Sequence, residues 1–278
     1  MTAEVRFSFD GKVAIVTGAA RGVGREIVGA FVEAGARVVA VDRDGDGLAE
    51  TCASHGNGVS ALVADVSTAE GAAAIVDRAT KTFGRLDICV NNAAVAPHAA
   101  LLEERADVWD RVYAVNCRGT FLMTQAAARA MIAGGRGGRI INFSSGAAQR
   151  GGAGGAAYAS SRAATETFSR VAAVELAPHD ILVNTISPGL IDTQPKPLPP
   201  AMAERLAARI PNLPLARPGR PDEVAQLVLF LASDAAAYIS GAVISIDGAS
   251  SAGSRFSGRV VDDDTRYDWV TGRSRSSP

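Results

Sequence analysis

Seven short runs of β-branched and aliphatic residues recur along the first 250 positions, with amphipathic stretches between most of them. The runs are Val13 to Thr17, Arg37 to Val41, Ser60 to Ala64, Ile88 to Val90, Arg139 to Phe143, Leu182 to Ile186 and Val243 to Ile246. Helical spacing of apolar residues fills the intervals near Val23 to Ala34, Ala69 to Phe83, Val108 to Ile132, Ala157 to Ala177 and Asp222 to Ser233. Two strands can lie parallel only if the chain between them returns along the sheet, so repeated strand–helix units are the mark of a parallel sheet. Near-continuous apolar runs also predict strands buried on both faces. The expectation is an α/β fold: a single doubly wound parallel sheet flanked by helices on both faces.

Such sheets bind ligands just beyond the carboxyl ends of their strands, where the strand order reverses. The segment after the first run reads Thr17-Gly18-Ala19-Ala20-Arg21-Gly22-Val23-Gly24. Glycines let backbone approach a pyrophosphate closely, and the helix N-terminus that follows offers free N–H groups and a positive dipole end. Gly18, Gly22 and Gly24 fit that need, although their spacing differs from the six-residue dinucleotide fingerprint. A glycine turn without a ligand is the alternative; the position between strand and helix favours binding. Asp42 ends the second run, where a carboxylate accepts hydrogen bonds from a ribose diol and repels a 2′-phosphate. That points to NAD as the cofactor.

The segment Ser144 to Arg162 carries the chemistry. Ser145 follows a strand-like run, and Tyr158 and Arg162 lie one turn apart on one helical face. A phenol with its ordinary pKa near ~10 is a poor proton carrier at neutral pH, and a fixed cation beside it lowers that value. Ser145 can hydrogen-bond the oxygen of an alcohol or carbonyl. Tyr and Arg at this spacing also occur on many solvated helices, so the pair alone does not decide the matter.

The chain resembles the short-chain dehydrogenase/reductase family from about Phe9 to Ala249. The glycine-rich segment, Asn91-Asn92-Ala93-Ala94, Asn116, Ser145, Tyr158 and Ser187-Pro188-Gly189 occur in the order that family uses. The resemblance implies a Rossmann-like fold and a hydride transfer between a nicotinamide cofactor and an alcohol or ketone. It implies that Tyr158 is the general acid/base, that Ser145 orients the reacting oxygen, and that Asn116 sits in a helix holding a water for proton relay. It places Arg162 where the family has lysine, binding ribose and lowering the tyrosine pKa, and it places Ala94 where glycine is usual. It sets Asp65 and Val66 against the adenine, Asn92 and Ala93 beside the cofactor, and Pro188, Gly189, Ile191 and Thr193 over the nicotinamide. Arg21 and Arg43 resemble residues of NADP-preferring relatives; Asp42 repels a 2′-phosphate directly and carries more weight. Guanidinium can supply charge and donors but cannot surrender a proton. An NAD(H)-binding homologue with impaired catalysis, serving as sensor or subunit, is the alternative function. Relatives are commonly dimers or tetramers formed through helices like those at Val108 to Ile132 and Ala157 to Ala177, so a homo-oligomer is expected.

At 278 residues the chain suits one well-buried domain, taken as residues 1–250, followed by an extension over 251–278. A formal net charge of −1 argues against nucleic acid as a partner. Cys52, Cys89 and Cys117 have no spacing that suggests disulfides or a metal site. Absence of a long apolar run or basic leader makes cytoplasm the default compartment, with no membrane partner. Asp192 to Pro221 is rich in proline around an amphipathic piece, Met202 to Ile210, and reads as an active-site lid rather than a connector. In the extension, Phe256, Val260, Val261, Tyr267 and Trp269 offer apolar surface for docking, while its last residues suit disorder.

Overall fold

The computed structural model of the chain describes residues 7–193 and 197–253, together with Tyr267–Asp268 and Arg273–Ser274. Seven parallel strands form one sheet: β1 (Val13–Thr17), β2 (Arg37–Asp42), β3 (Val59–Val63), β4 (Ile88–Asn91), β5 (Gly138–Phe143), β6 (Ile181–Pro188) and β7 (Val243–Ile246). Their spatial order is β3-β2-β1-β4-β5-β6-β7. The chain thus runs outward from β1 to β3 and resumes on the other side of β1 with β4. That reversal opens a crevice at the carboxyl ends of β1 and β4.

The period of two along each strand builds two cores. Ala14, Val16, Val38, Ala40, Val90 and Ile141 face Ile27, Val28 and Phe31 of α1 (Gly22–Glu33) and Val224, Val228 and Leu231 of the helix Pro221–Ala232. Val13, Ile15, Val39, Cys89, Ile140 and Val183 face the opposite layer, with Ile75 and Ala79 of Ala69–Phe83 and Met123, Ala127 and Met131 of Thr120–Gly134. Cys89 lies wholly inside this second core, and burial pushes its thiol pKa up to about 12. Strands β1, β4 and β5 are buried almost throughout, as their composition predicts, whereas edge strand β3 leaves Val63 at 60% exposure.

The remaining helices, in chain order, are α2 (Gly45–Ala53), α3 (Ala69–Phe83), α4 (Ala106–Tyr113), α5 (Thr120–Gly134), α6 (Ala156–Leu176), α7 (Pro200–Arg209) and α8 (Pro221–Ala232). Three features differ from the sequence expectation. Helix α2 went unrecognised because Gly45 and Gly47 dilute its signal; it forms because Asp44 caps it, accepting from Gly47 N at 3.0 Å, and because Leu48 and Thr51 are buried. The third strand begins and ends one residue earlier than read, at Val59–Val63. The long helix expected over Val108 to Ile132 is interrupted by a π-helical segment at Ala114–Gly119, which contains Asn116.

The segment expected as a lid contains α7 and is tied at its far end. Gly219 N donates to Leu190 O at 2.9 Å, Asp192 N donates to Gly219 O at 2.8 Å, and Arg217 grips both carboxylate oxygens of Glu223 at 2.9 and 2.7 Å. In the extension, Tyr267–Asp268 and Arg273–Ser274 pair antiparallel as β8 and β9. Phe256, Val260, Val261 and Trp269, named for docking, lie outside the described residues. No described helix is long and apolar enough to cross a membrane.

Candidate active site

A cavity of about 1330 Å³ opens at the crevice between β1 and β4. It exceeds the ~300 to 1,000 Å³ typical of small-molecule pockets and has room for a dinucleotide. Gly18, Arg21, Gly22, Val23, Gly24, Asp42, Arg43, Asp65, Val66, Asn92, Ala93 and Thr193 all line it, so twelve expected positions from five separate segments converge.

The glycine cradle is built by close approach. Gly18 has φ +70°, and a Cβ there would sit 2.7 Å from Asn92 Nδ2 and 2.9 Å from Ala93 Cα. Asn92 braces the turn by donating to Thr17 O at 2.9 Å and Gly18 O at 3.1 Å. The Thr17 hydroxyl accepts from Asn92 N and Ala93 N, each at 3.1 Å, and ties β1 to the end of β4. Beyond it α1 starts at Gly22 with no side-chain cap from Arg21, which leaves its first N–H groups toward the cavity. A Cβ at Gly22 would come 3.2 Å from Thr193 Cβ, so the loop after β6 closes against the same turn. A cradle that side chains would fill, at a helix N-terminus, suits a pyrophosphate.

Asp42 is fixed by backbone donors: Ala20 N at 3.0 Å, Arg43 N at 2.7 Å and Asp44 N at 3.1 Å. Asp65 is held by Ser67, whose N–H and hydroxyl donate to Oδ1 at 2.9 and 2.6 Å. Burial opposes ionisation of Asp65, but the Ser67 hydrogen bonds and the Arg111 charge outweigh it and hold the carboxyl below its usual range. Thr68 caps α3, accepting from Gly71 N at 3.0 Å, so Asp65 is free of the helix-entry role.

The groups expected to do chemistry, Asn116, Ser145, Tyr158 and Arg162, are not among the residues lining that cavity. Tyr158 and Arg162 occupy one face of α6, with the Arg162 guanidinium 5.2 Å from the Tyr158 ring centroid. Arg162 is only 3% exposed; its Nη1 donates to Phe143 O at 2.7 Å, and its buried Nε has no partner among the described residues. Burial works against ionisation of Tyr158, yet the Arg162 charge, aided by hydrogen bonds from Ser145 and Arg162, holds the phenol below the ordinary tyrosine range. Ser145 caps the short turn after β5 by accepting from Ala147 N at 3.2 Å.

Asn116 lies wholly buried in the π-helical segment Ala114–Gly119. Its Nδ2 donates to Val95 O at 2.9 Å and Ser161 Oγ at 3.1 Å, and its Oδ1 accepts from Val95 N at 2.9 Å. The side chain is therefore spent on fixing the loop after β4 against α6. Pro188 ends β6, Gly189 N donates to Ile246 O at 3.1 Å, and a Cβ on Gly189 would strike Asp247, so these two pack the sheet rather than line the large cavity. Ile191 bridges to Gly219 and borders a second cavity of about 150 Å³.

Sequence reading missed Arg111, which lines the large cavity and donates to Asp65 Oδ2 at 3.3 Å. It also missed buried Glu166, whose Oε1 accepts from Ser144 Oγ at 2.7 Å, next to Ser145. A basic residue in the last turn of α4 and a glutamate one turn past Arg162 were the only signals, and both need the fold to acquire meaning.

A doubly wound sheet with a dinucleotide-sized cavity at its switch point defines the class. Residues 18–250 match the family model described as enoyl-(acyl carrier protein) reductase. The chain is 36% identical over 250 residues to a sorbitol dehydrogenase of Cereibacter sphaeroides, covering 86% of this chain and 97% of that protein. It is 39% identical over 253 residues to a D-threitol dehydrogenase of Mycolicibacterium smegmatis, covering 89% and 96%. A crystal structure of a short-chain type dehydrogenase/reductase from Mycobacterium marinum superposes with TM-score 0.82 at 37% identity, covering 87% of this chain and 96% of that one. The chain belongs to the short-chain dehydrogenase/reductase family.

Proposed function

We propose that the protein is an NAD-dependent oxidoreductase acting on an alcohol or ketone, with Tyr158 as general acid/base. NAD, when bound, supplies or accepts the hydride. The observation that carries the reading is the buried Arg162 guanidinium 5.2 Å from the Tyr158 ring centroid, whose charge, with Ser145, holds the phenol below the ordinary tyrosine range. In oxidation the Tyr158 phenolate accepts the hydroxyl proton of the substrate; in reduction the phenol returns it. With substrate bound, the Ser145 hydroxyl turns its single hydrogen from Tyr158 to the substrate oxygen and orients it. Arg162, standing where the family carries lysine, keeps the phenolate stable through fixed charge, and its unpartnered Nε is a donor for a ribose hydroxyl. Asn116 acts by position, through Val95 and Ser161.

Cofactor binding falls to Gly18, Gly22, Val23 and Gly24 at the pyrophosphate, to Asp42 at the ribose, to Asp65 and Val66 at the adenine, and to Asn92, Ala93 and Thr193 along the nicotinamide arm. Pro188, Gly189 and Ile191 support that arm from behind. NAD rather than NADP follows from Asp42, whose charge is fixed at the cavity wall by three backbone amides. Residues 1–250 form the catalytic unit on this reading, and the segment around α7 covers the substrate. Phe121, Ile132, Val171 and Val174 on α5 and α6 are 41%, 40%, 51% and 77% exposed, an apolar surface suited to a homo-oligomer. The impaired-binder alternative draws on Arg162 standing where the family carries lysine; against it, Ser145 and Arg162 both bear on the Tyr158 hydroxyl.

The sorbitol and threitol relatives favour polyols and their ketoses, against the acyl thioester of the matched family model. The test is NADH formation or consumption over a panel of polyols, ketoses and 3-oxoacyl thioesters, with NADP(H) run in parallel. Turnover with NAD(H) on a hydroxyl or carbonyl substrate supports the reading; binding of NADH without turnover on any of them defeats it.

A further inference from the structure

Two neighbouring strand ends bring two carboxylates and two guanidiniums to one wall of the large cavity. Asp42 closes β2, and Asp65 follows β3, whose Val63 is in register with Asp42. Asp42, Arg43, Asp65 and Arg111 all line the cavity. The Asp42 carboxylate is taken up by backbone amides and is matched to no guanidinium among the described residues. Arg43, next in the chain, turns instead to Asp65, with Nε 3.7 Å from Oδ2. Arg111 reaches the same Oδ2 from α4 at 3.3 Å and places Nη1 3.3 Å from Ser67 Oγ. Oδ1 is held separately by Ser67, so the carboxylate is fixed on one side and shared by two cations on the other.

A guanidinium at this wall is the group a 2′-phosphate needs, since paired N–H donors match phosphate oxygens and the charges attract. An arginine engaged with a carboxylate must give up that partner first, and the carboxylate itself repels the phosphate. Arg43 is 61% exposed on its side chain, and an exposed pair of this length is weak by itself. The anchoring by Ser67 and the second cation, Arg111, make the cluster more than one surface pair.

We propose that Asp65 is a second determinant of cofactor choice, acting through Arg43 and Arg111 by holding both guanidiniums away from a 2′-phosphate. The inference rests on the NAD reading above and deepens it: discrimination against NADP(H) is divided between Asp42, which repels directly, and Asp65, which withholds the cations.

Asp65→Asn is the test, because it keeps the size and the acceptor for Ser67 while removing the charge. The full-length variant is titrated with NADH and with NADPH, following cofactor fluorescence, and the ratio of the two dissociation constants is read. A lost adenine contact weakens both cofactors alike and cancels in the ratio. The expected result is a shift of about tenfold or more toward NADPH, diminishing as salt is raised, and reversed when Arg43→Ala and Arg111→Ala are added. Asp65→Ser, which also removes the charge, gives the same reading if the Asn variant fails to fold. A wild-type protein that prefers NADH, with a ratio unmoved by either substitution, overturns the inference alone. A shift that persists without both arginines also overturns it. A wild-type protein that already binds NADPH more tightly overturns the underlying NAD reading instead.

Discussion

Replacing Arg162 with methionine should leave the fold intact and abolish most of the activity. The guanidinium is 3% exposed, has no ion pair among the described residues and leaves Nε unpartnered. Burying such a charge costs several kcal/mol. Against this stand its hydrogen bond to Phe143 O, worth roughly 1.5 to 3 kcal/mol, and its contact with the Tyr158 ring, worth ~1 to 2 kcal/mol. Methionine removes the charge and buries an apolar chain, for a gain of roughly 1.5 to 3 kcal/mol, while stranding the Phe143 carbonyl costs roughly 1 to 3 kcal/mol. The guanidinium's burial cost and its contacts roughly cancel, and the methionine terms sum to between a loss of ~1.5 and a gain of ~2 kcal/mol, which at roughly 2 to 4 °C per kcal/mol means a Tm no more than about 6 °C below and about 8 °C above wild type. Turnover should fall by about 10²-fold or more, because the cation that favours the phenolate is gone. Thermal melts and steady-state rates on the same preparation read both quantities. A Tm lowered by more than about 6 °C would show that the guanidinium holds the fold, and retained turnover would show that its charge does not serve Tyr158.

Because the Tyr158 phenol sits below its ordinary value, alcohol oxidation should rise with pH through a midpoint under the usual tyrosine range, while ketone reduction falls over the same window. Initial rates in both directions across pH check this, and a midpoint at or above ordinary tyrosine contradicts it. Arg162→Lys should leave kcat unchanged or lower, since Nη1 bridges to Phe143 O in a shell shaped for a guanidinium; a rise of about tenfold or more would mark a decayed site instead. Gly18→Ala should lower both Tm and NADH affinity, since φ is +70° and the new Cβ would meet Asn92 Nδ2 at 2.7 Å. The backbone strain alone is roughly 1 to 2 kcal/mol, and melts with and without NADH showing wild-type behaviour would refute the cradle.

Strands β1 and β7 and helix α3 lie where the sequence puts them, because unbroken apolar runs and a capped amphipathic stretch are local signals. The π-helical break at Ala114–Gly119 is not local: Asn116 O accepts from Thr165 Oγ1 of α6 at 3.2 Å, and Asn116 Oδ1 accepts from the loop after β4. Gly18, Asp42 and Ser145 are legible as candidates because each stands at a strand end, and Tyr158 because its helix is marked by local spacing. Arg162 was legible as a neighbour of Tyr158 but not as a buried cation, since its anchor is a carbonyl nineteen residues upstream. The pairing of Arg111 with Asp65, forty-six residues apart, had no sequence signal of its own.

The most direct test of the central claim is the replacement of the Tyr158 hydroxyl alone. Tyr158→Phe keeps the ring against Arg162 and removes only the proton carrier, so NADH binding and Tm should stay near wild type while turnover of the preferred alcohol drops by about 10²-fold or more. Turnover close to wild type in that variant, with NADH bound normally, would contradict the claim and assign the proton chemistry to another group.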